Sequence, residues 1–156
     1  VLDVTGSSAT SGALIILFTN NNSTNQQWDI AQVGNKKHTI AAGHSSMLLS
    51  APNMLIQNGL QAIQETASTK QDNYWYFEPT GTGSYKIKNA YSGFCLGIAD
   101  TADLTPVLFM SPASSAYQEW EITTVPGAPC QTTEYLSDLT WTSSTNGWGP
   151  VEKDRS

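Results

Sequence analysis

Residues 20–30 read NNNSTNQQWDI, a run of amides and hydroxyls that closes on one tryptophan. Gln26 stands two residues before Trp28. The spacing returns in AYQEWEI, residues 116–122, where Gln118 stands two before Trp120. Between them, Asn73 stands two before Trp75. The three tryptophans are 47 and 45 residues apart. A second marker keeps the same period. The triplets Leu2-Asp3-Val4, Leu49-Ser50-Ala51 and Leu96-Gly97-Ile98 are spaced by 47 and 47. Two markers on one period predict three copies of one unit.

Each unit reads as short strands. One opens it, HTIAA at 38–42 and SYKIKN at 84–89, followed by a turn, GHSS or YSG. The Leu-x-apolar strand comes next. A polar loop leads to a third apolar run: ALIILF at 13–18, LQAI at 60–63, PVLFM at 106–110. The last strand carries the tryptophan, in QQWDI, NYWYF and QEWEI. Short runs bounded by Gly, Pro, Asn and Ser predict an all-β chain, and nothing of helical length has a 3.6-residue period. One such unit cannot bury its apolar face alone, so three are expected to close around a common core. Trp28, Trp75 and Trp120 are expected in the barrel floor, each indole N–H bonded. The amide before each Trp can donate and accept at once, and so tie a loop to the strand. Against the later units, the first lacks its opening strand. The chain is therefore expected either to be a fragment or to receive that strand from elsewhere.

Composition narrows the function. The 156 residues are 39% hydrophobic and 13% charged, with a formal net charge of −6. A basic footprint is absent, which argues against nucleic acid. No basic amphipathic segment and no spanning apolar run point to a membrane. The hydroxyl- and amide-rich composition suits a secreted, extracellular protein. No signal peptide is visible; the opening VLDV reads as mid-domain, so a leader can lie upstream. Cys95 and Cys130 have no metal-site spacing and read as one bridge or two unrelated thiols. Asn21 and Asn22 head overlapping glycosylation sequons, relevant in a eukaryotic secretory pathway. No cofactor or metal is expected.

Three repeats of about 45 residues, the first with Leu-Asp-Val early and Asn-Gln-x-Trp late, resemble the ricin-type lectin family, which includes the family-thirteen carbohydrate-binding modules. The motif SGFCLGI at 92–98 stands in the same register. The resemblance implies a β-trefoil over residues 1–124, and one shallow sugar site per repeat. In such a site a carboxylate accepts from neighbouring sugar hydroxyls, an aromatic face covers ring C–H groups, and an amide donates and accepts. In the first repeat these parts fall on Asp3, Phe18 and Asn25, with Gln26 in support. Ile16 departs from the polar residue often found in the family. In the second repeat Ser50 replaces the Asp, Glu65 falls near the aromatic position, and Asp72-Asn73 stand for Asn-Gln. In the third, Gly97, Met110 and Tyr117 take those places, with Asp100 or Asp103 as substitute carboxylates. The first site alone keeps its full set.

The tail departs from the period. Residues 125–134 read as a Pro/Gly-containing linker. Residues 135–156, with YLSDL and NGWGP, resemble the opening of the carbohydrate-binding module known as NPCBM, a β-sandwich of which only the start is present. A trefoil followed by that module resembles the C-terminal half of secreted glycoside hydrolases such as family-twenty-seven α-galactosidases. The expected function is a lectin-like module that docks a parent enzyme on galactose-, arabinose- or xylose-bearing glycan. Its partners would be that carbohydrate and a catalytic domain in the same parent chain. Catalysis within the chain itself is not expected. Asp3, Asp29, Glu65 and Glu78 show no pairing for glycoside hydrolysis, and His38 and His44 carry no nucleophile or metal motif. The competing expectation is a spacer trefoil that binds no sugar.

Overall fold

The computed structural model describes residues 1–54, 57–68 and 70–126. Two compact units divide the chain, Val1–Thr124 and Val125–Ser156. Past residue 126 the second unit lies outside the described residues. The expected module start at 135–156, most of the linker at 125–134, and Cys130 fall there.

Within the first unit the described elements are strands and short 3-10 turns. Three hairpins repeat. β1 (Leu2–Val4) pairs with β2 (Ile15–Leu17), and Asp3 faces Ile16. β5 (Leu48–Ser50) pairs with β7 (Ile63–Glu65), and Ser50 faces Ile63. β10 (Cys95–Gly97) pairs with β11 (Leu108–Met110), and Gly97 faces Leu108; the short β6 (Leu60–Gln61) also pairs with β11. Two longer hairpins form wall segments. β3 (Trp28–Gly34) pairs with β4 (Lys37–Ala42), and β8 (Trp75–Pro79) with β9 (Tyr85–Asn89). His38 of β4 bridges to Trp75, and Tyr85 of β9 bridges to Trp120. A counterpart of β4 and β9 for the first repeat is not among the described residues.

A closed ring of backbone hydrogen bonds joins the third apolar runs of the three repeats, with Ile15 inside β2 and with Ala62 and Val107 outside the strands. Ile15 N–H donates to Ala62 C=O (2.9 Å), Ala62 N–H to Val107 C=O (2.8 Å), and Val107 N–H to Ile15 C=O (3.1 Å). All three residues are fully buried. Around the ring lie Val4, Leu49, Ala51, Leu96 and Phe109, also with no exposed surface. This is a β-trefoil, with the threefold axis through the ring.

The two sequence markers meet in one contact. The indole N–H of Trp28 donates to Leu2 C=O (3.2 Å), that of Trp75 to Leu49 C=O (3.2 Å), and that of Trp120 to Leu96 C=O (3.1 Å). Trp75 is fully buried and stacks on Phe109 at 5.6 Å, while Trp28 and Trp120 are half-buried.

The amide before each Trp is not on the Trp strand. Gln26, Asn73 and Gln118 each end a 3-10 turn: Thr24–Gln26, Gln71–Asn73 and Ala116–Gln118. From there the amide reaches backward. Gln26 Oε1 accepts from Asn21 N–H (2.8 Å) and its Nε2 donates to Thr19 C=O (3.0 Å). Gln118 repeats this with Ala113 N–H (2.9 Å) and Ser111 C=O (2.9 Å). Asn73, one methylene shorter, reaches only Ser68, through its O (3.3 Å) and Oγ (3.1 Å). Its Oδ1 is buried and accepts nothing among the described residues.

The Trp ties are unequal in burial, so their loss should be unequal. Trp75→Phe should lower unfolding free energy by about 2–4 kcal/mol, because it empties enclosed volume and strands the buried Leu49 carbonyl. Trp28→Phe should cost about 1 kcal/mol. Urea denaturation of both variants checks the order.

Candidate functional site

The site is assembled by the β1–β2 hairpin and the turn that precedes β3. In β1, Leu2 and Val4 flank Asp3, and antiparallel pairing sets Asp3 beside Ile16. Gly6 and Ser7 follow in a left-handed turn (φ 63° and 51°) that folds Thr5–Ser7 over the end of the strand. Beyond β2, Phe18 is held by a reciprocal backbone pair with Val1: Val1 N–H donates to Phe18 C=O (2.7 Å), and Phe18 N–H to Val1 C=O (3.0 Å).

These segments line an open cavity of about 220 Å³. Asp3, Ile16 and Asn25 line it and are each nine-tenths or more buried. Phe18, half-buried, also lines it. The exposed rim consists of the Thr5–Ser7 turn, Asn21, Ser23 and Leu104. Gln26 does not line the cavity. Its Nε2 donates to Asp3 Oδ2 (2.8 Å) and holds the carboxylate from behind. Oδ1 of Asp3 accepts no hydrogen bond among the described residues. Asn25 Nδ2 donates to Val4 C=O (3.1 Å), which fixes the amide orientation and leaves Oδ1 and one N–H. The cavity thus offers a carboxylate oxygen, an amide and an aromatic face. Its volume is below the roughly 300–1,000 Å³ of pockets that enclose drug-sized ligands, and suits a single ring.

Asp3, Phe18 and Asn25, picked out from the sequence, share one cavity. Thr5, Gly6, Ser7, Asn21 and Ser23 were not picked out. The Thr-Gly-Ser turn directly after Leu-Asp-Val was an available signal for the first three. Leu104 had none, because it belongs to another repeat.

The second and third positions are built differently. In the second repeat Ser50 Oγ lies 2.9 Å from Asp72 Oδ2 and 3.2 Å from Glu65 Oε2, and Lys70 Nζ sits 3.4 Å from the Glu65 carboxylate. The one hydroxyl proton of Ser50 serves one of these carboxylates at a time, and Ser50 and Asp72 are fully buried. Asp72 stands where Asn25 stands in the first repeat. A carboxylate cannot donate to the strand carbonyl as Asn25 does, and Asp72 Oδ1 accepts nothing among the described residues. In the third repeat the place of a side chain at Gly97 is filled. A Cβ there would lie 2.6 Å from Met110 Sδ, 3.0 Å from Gln118 Cγ and 3.1 Å from Tyr117 O. Neither suggested substitute is turned to that place. Asp100 caps its own loop at Thr101 N–H (2.6 Å), and Asp103 accepts from Thr19 Oγ1 (3.0 Å) in the first repeat.

Elsewhere, Cys95 is buried, has no disulfide partner among the described residues, and has its pKa raised by burial. Among the described residues no three His, Cys, Asp or Glu side chains gather as a metal site.

The sequence profile of ricin-type β-trefoil lectin domain-like proteins matches residues 1–65, 24–110 and 71–147. The chain belongs to this family. Among solved structures, the trefoil is similar to a designed threefold-symmetric protein, ThreeFoil. They share 28% identity and a TM-score of 0.78, over 80% of this chain and 90% of that one. It is similar also to an exo-β-1,3-galactanase from Clostridium thermocellum, with 28% identity and a TM-score of 0.77, over 80% of this chain and 27% of the enzyme. An earthworm R-type lectin half, solved with GalNAc, shares the fold at 17% identity and a TM-score of 0.57, over 76% of this chain and 85% of that one. No curated protein sequence matches the chain.

Two substitutions read the closed positions of this lectin-like trefoil. Asp72→Asn restores a donor toward the strand carbonyl and removes an unpartnered buried oxygen, so it should raise unfolding free energy by about 1 kcal/mol. Gly97→Ala should lower it by about 1–3 kcal/mol, because the Tyr117 carbonyl cannot yield as Met110 can. Paired urea titrations measure both.

Proposed function

We propose that this trefoil is a carbohydrate-binding module whose first repeat holds one sugar ring of a galactose-, arabinose- or xylose-bearing glycan. The observation that carries the reading is the convergence of Asp3, Phe18 and Asn25 on one cavity sized for a single ring. Asp3 accepts from sugar hydroxyls, Phe18 covers the C–H face, and Asn25 supplies the remaining acceptor and donor. Gln26 orients the carboxylate before any ligand arrives, so little ordering is left for the binding step. The module binds and does not react.

The parent protein, in this reading, is a secreted glycoside hydrolase of α-galactosidase type, with the residues from 135 onward as the start of an NPCBM. Support comes from the YLSDL and NGWGP motifs and from the galactanase, in which the matching trefoil is 27% of a larger enzyme. A single shallow site binds weakly, and tethering to a second module raises avidity without new contacts. The second reading is a spacer trefoil. The closed second and third positions favour it, since two of three repeats display no comparable set of groups.

Calorimetric titration of galactose, lactose, arabinose and xylose separates the two. Binding heat is expected for at least one sugar, and Asp3→Ala should weaken it about 10- to 100-fold, the worth of a charge-assisted hydrogen-bond pair. The variant should remain folded, because Gln26 Nε2 keeps its bond to Thr19 C=O. No heat from any sugar with the wild type would establish the spacer.

A further inference from the structure

Leu104 is a leucine where the fold asks for glycine. Its φ is +70°, and its side chain is 64% exposed. The internal symmetry supplies the comparison. Counting back three residues from the ring members Ile15, Ala62 and Val107 gives Gly12, Gly59 and Leu104. Gly12 and Gly59 have φ of +90° and +84°. All three make the same bond. Gly12 N–H donates to Gln64 C=O, Gly59 N–H to Phe109 C=O, and Leu104 N–H to Leu17 C=O, each at 2.8 Å. The turn therefore demands a left-handed residue, and two repeats meet the demand with the residue that has no Cβ. The third meets it with a side chain that gains little from burial.

The position of that side chain is fixed from both sides. Leu17 N–H donates to Thr105 C=O (2.7 Å), and Thr19 Oγ1 donates to Asp103 (3.0 Å). Residues 103–105 are thereby stapled to the strand that carries Phe18. Leu104 is the one lining residue of the first cavity that comes from another repeat. It stands on the exposed rim, while Asp3 and Asn25 are buried. A leucine offers no hydrogen bond. It offers apolar cover to something that extends past the rim.

We infer that Leu104 forms a second subsite, which takes the adjoining ring of a galactose-containing disaccharide against its apolar C–H face. The first-repeat site then reads a linked pair of sugars and not a terminal ring alone. This rests on the sugar-binding reading above.

The test is calorimetric titration of methyl β-galactoside, lactose and a β-linked galactobiose into wild type, Leu104→Gly and Leu104→Asn. Glycine and asparagine both tolerate φ of +70°, so both variants should fold, with the Tm of the glycine variant at or above that of wild type. Wild type should favour at least one disaccharide over the methyl galactoside by about fivefold, which is what covering about 40 Å² of C–H surface supplies. Both variants should lose that advantage and bind methyl galactoside within about twofold of wild type. Equal weakening of mono- and disaccharide would make Leu104 a wall of the first pocket and overturn the inference. So would a disaccharide advantage that survives in both variants, or its absence from wild type. Silence of wild type toward all three sugars would remove the galactose reading itself, a failure distinct from the others because the methyl galactoside arm is also lost.

Discussion

The ring of three backbone hydrogen bonds through Ile15, Ala62 and Val107 fixes everything else in the trefoil. Each repeat gives one N–H and takes one C=O, and no member of the ring has water to bond instead. An unmade bond at this depth would leave two buried polar groups without partners. The ring therefore locks the phase of the three hairpins relative to one another. In the second and third repeats it also interrupts the strands, at Ala62 and Val107, whereas Ile15 stays paired with Val4. Once the phase is set, Asp3, Ser50 and Gly97 occupy equivalent places, and so do Asn25, Asp72 and Tyr117. The backbone presents three copies of one position, and the side chains decide what each copy does.

They decide in three ways. The first repeat spends its polar groups on an open cavity: Gln26 Nε2 donates to one oxygen of Asp3, and Val4 C=O accepts from one N–H of Asn25. The second turns the same positions inward, where a serine hydroxyl lies between two carboxylates and a lysine covers one of them. The third fills the position with thioether, and the glycine beneath Met110 is required by that filling. In the first repeat, hydrogen-bonding groups of a buried carboxylate and amide are left toward a space that a ligand can enter.

The period was legible because both of its markers are ends of one interaction. Trp28, Trp75 and Trp120 donate to Leu2, Leu49 and Leu96, so tryptophan and leucine spacings had to agree. The trio Asp3, Phe18 and Asn25 was legible because it lies within one repeat. Other features were not. Placing Gln26 in the Trp strand misses the 3-10 turn, since a three-residue turn leaves no periodicity to read. The filling of Gly97 by Met110 depends on a side-chain path that spacing does not encode. The contribution of Leu104 crosses from the third repeat to the first, and only the closed ring brings those segments together.

Internal symmetry also separates architectural strain from strain that serves something else. Gly6 and Ser7 are left-handed, but so are Asn53 and Met54, which stand 47 residues later in the equivalent turn (φ 54° and 58°). A conformation repeated in two units, in different side-chain settings, belongs to the hairpin connection and says nothing of ligands. Ser7 at the rim of the cavity is thus explained by the fold. The same reasoning explains Gly12 and Gly59, whose positive φ the cross-repeat bond imposes. It explains the backbone of Leu104 as well, but not its side chain. A non-glycine residue in this region costs about 1–2 kcal/mol, and the sister repeats show that the turn can be made without that cost. What distinguishes Leu104 from its two counterparts is the cavity it borders. Gly12 and Gly59 bond instead to Gln64 and Phe109, on the strands of the second and third repeats, where Ser50 and Asp72 are bonded inward and Met110 fills the place over Gly97.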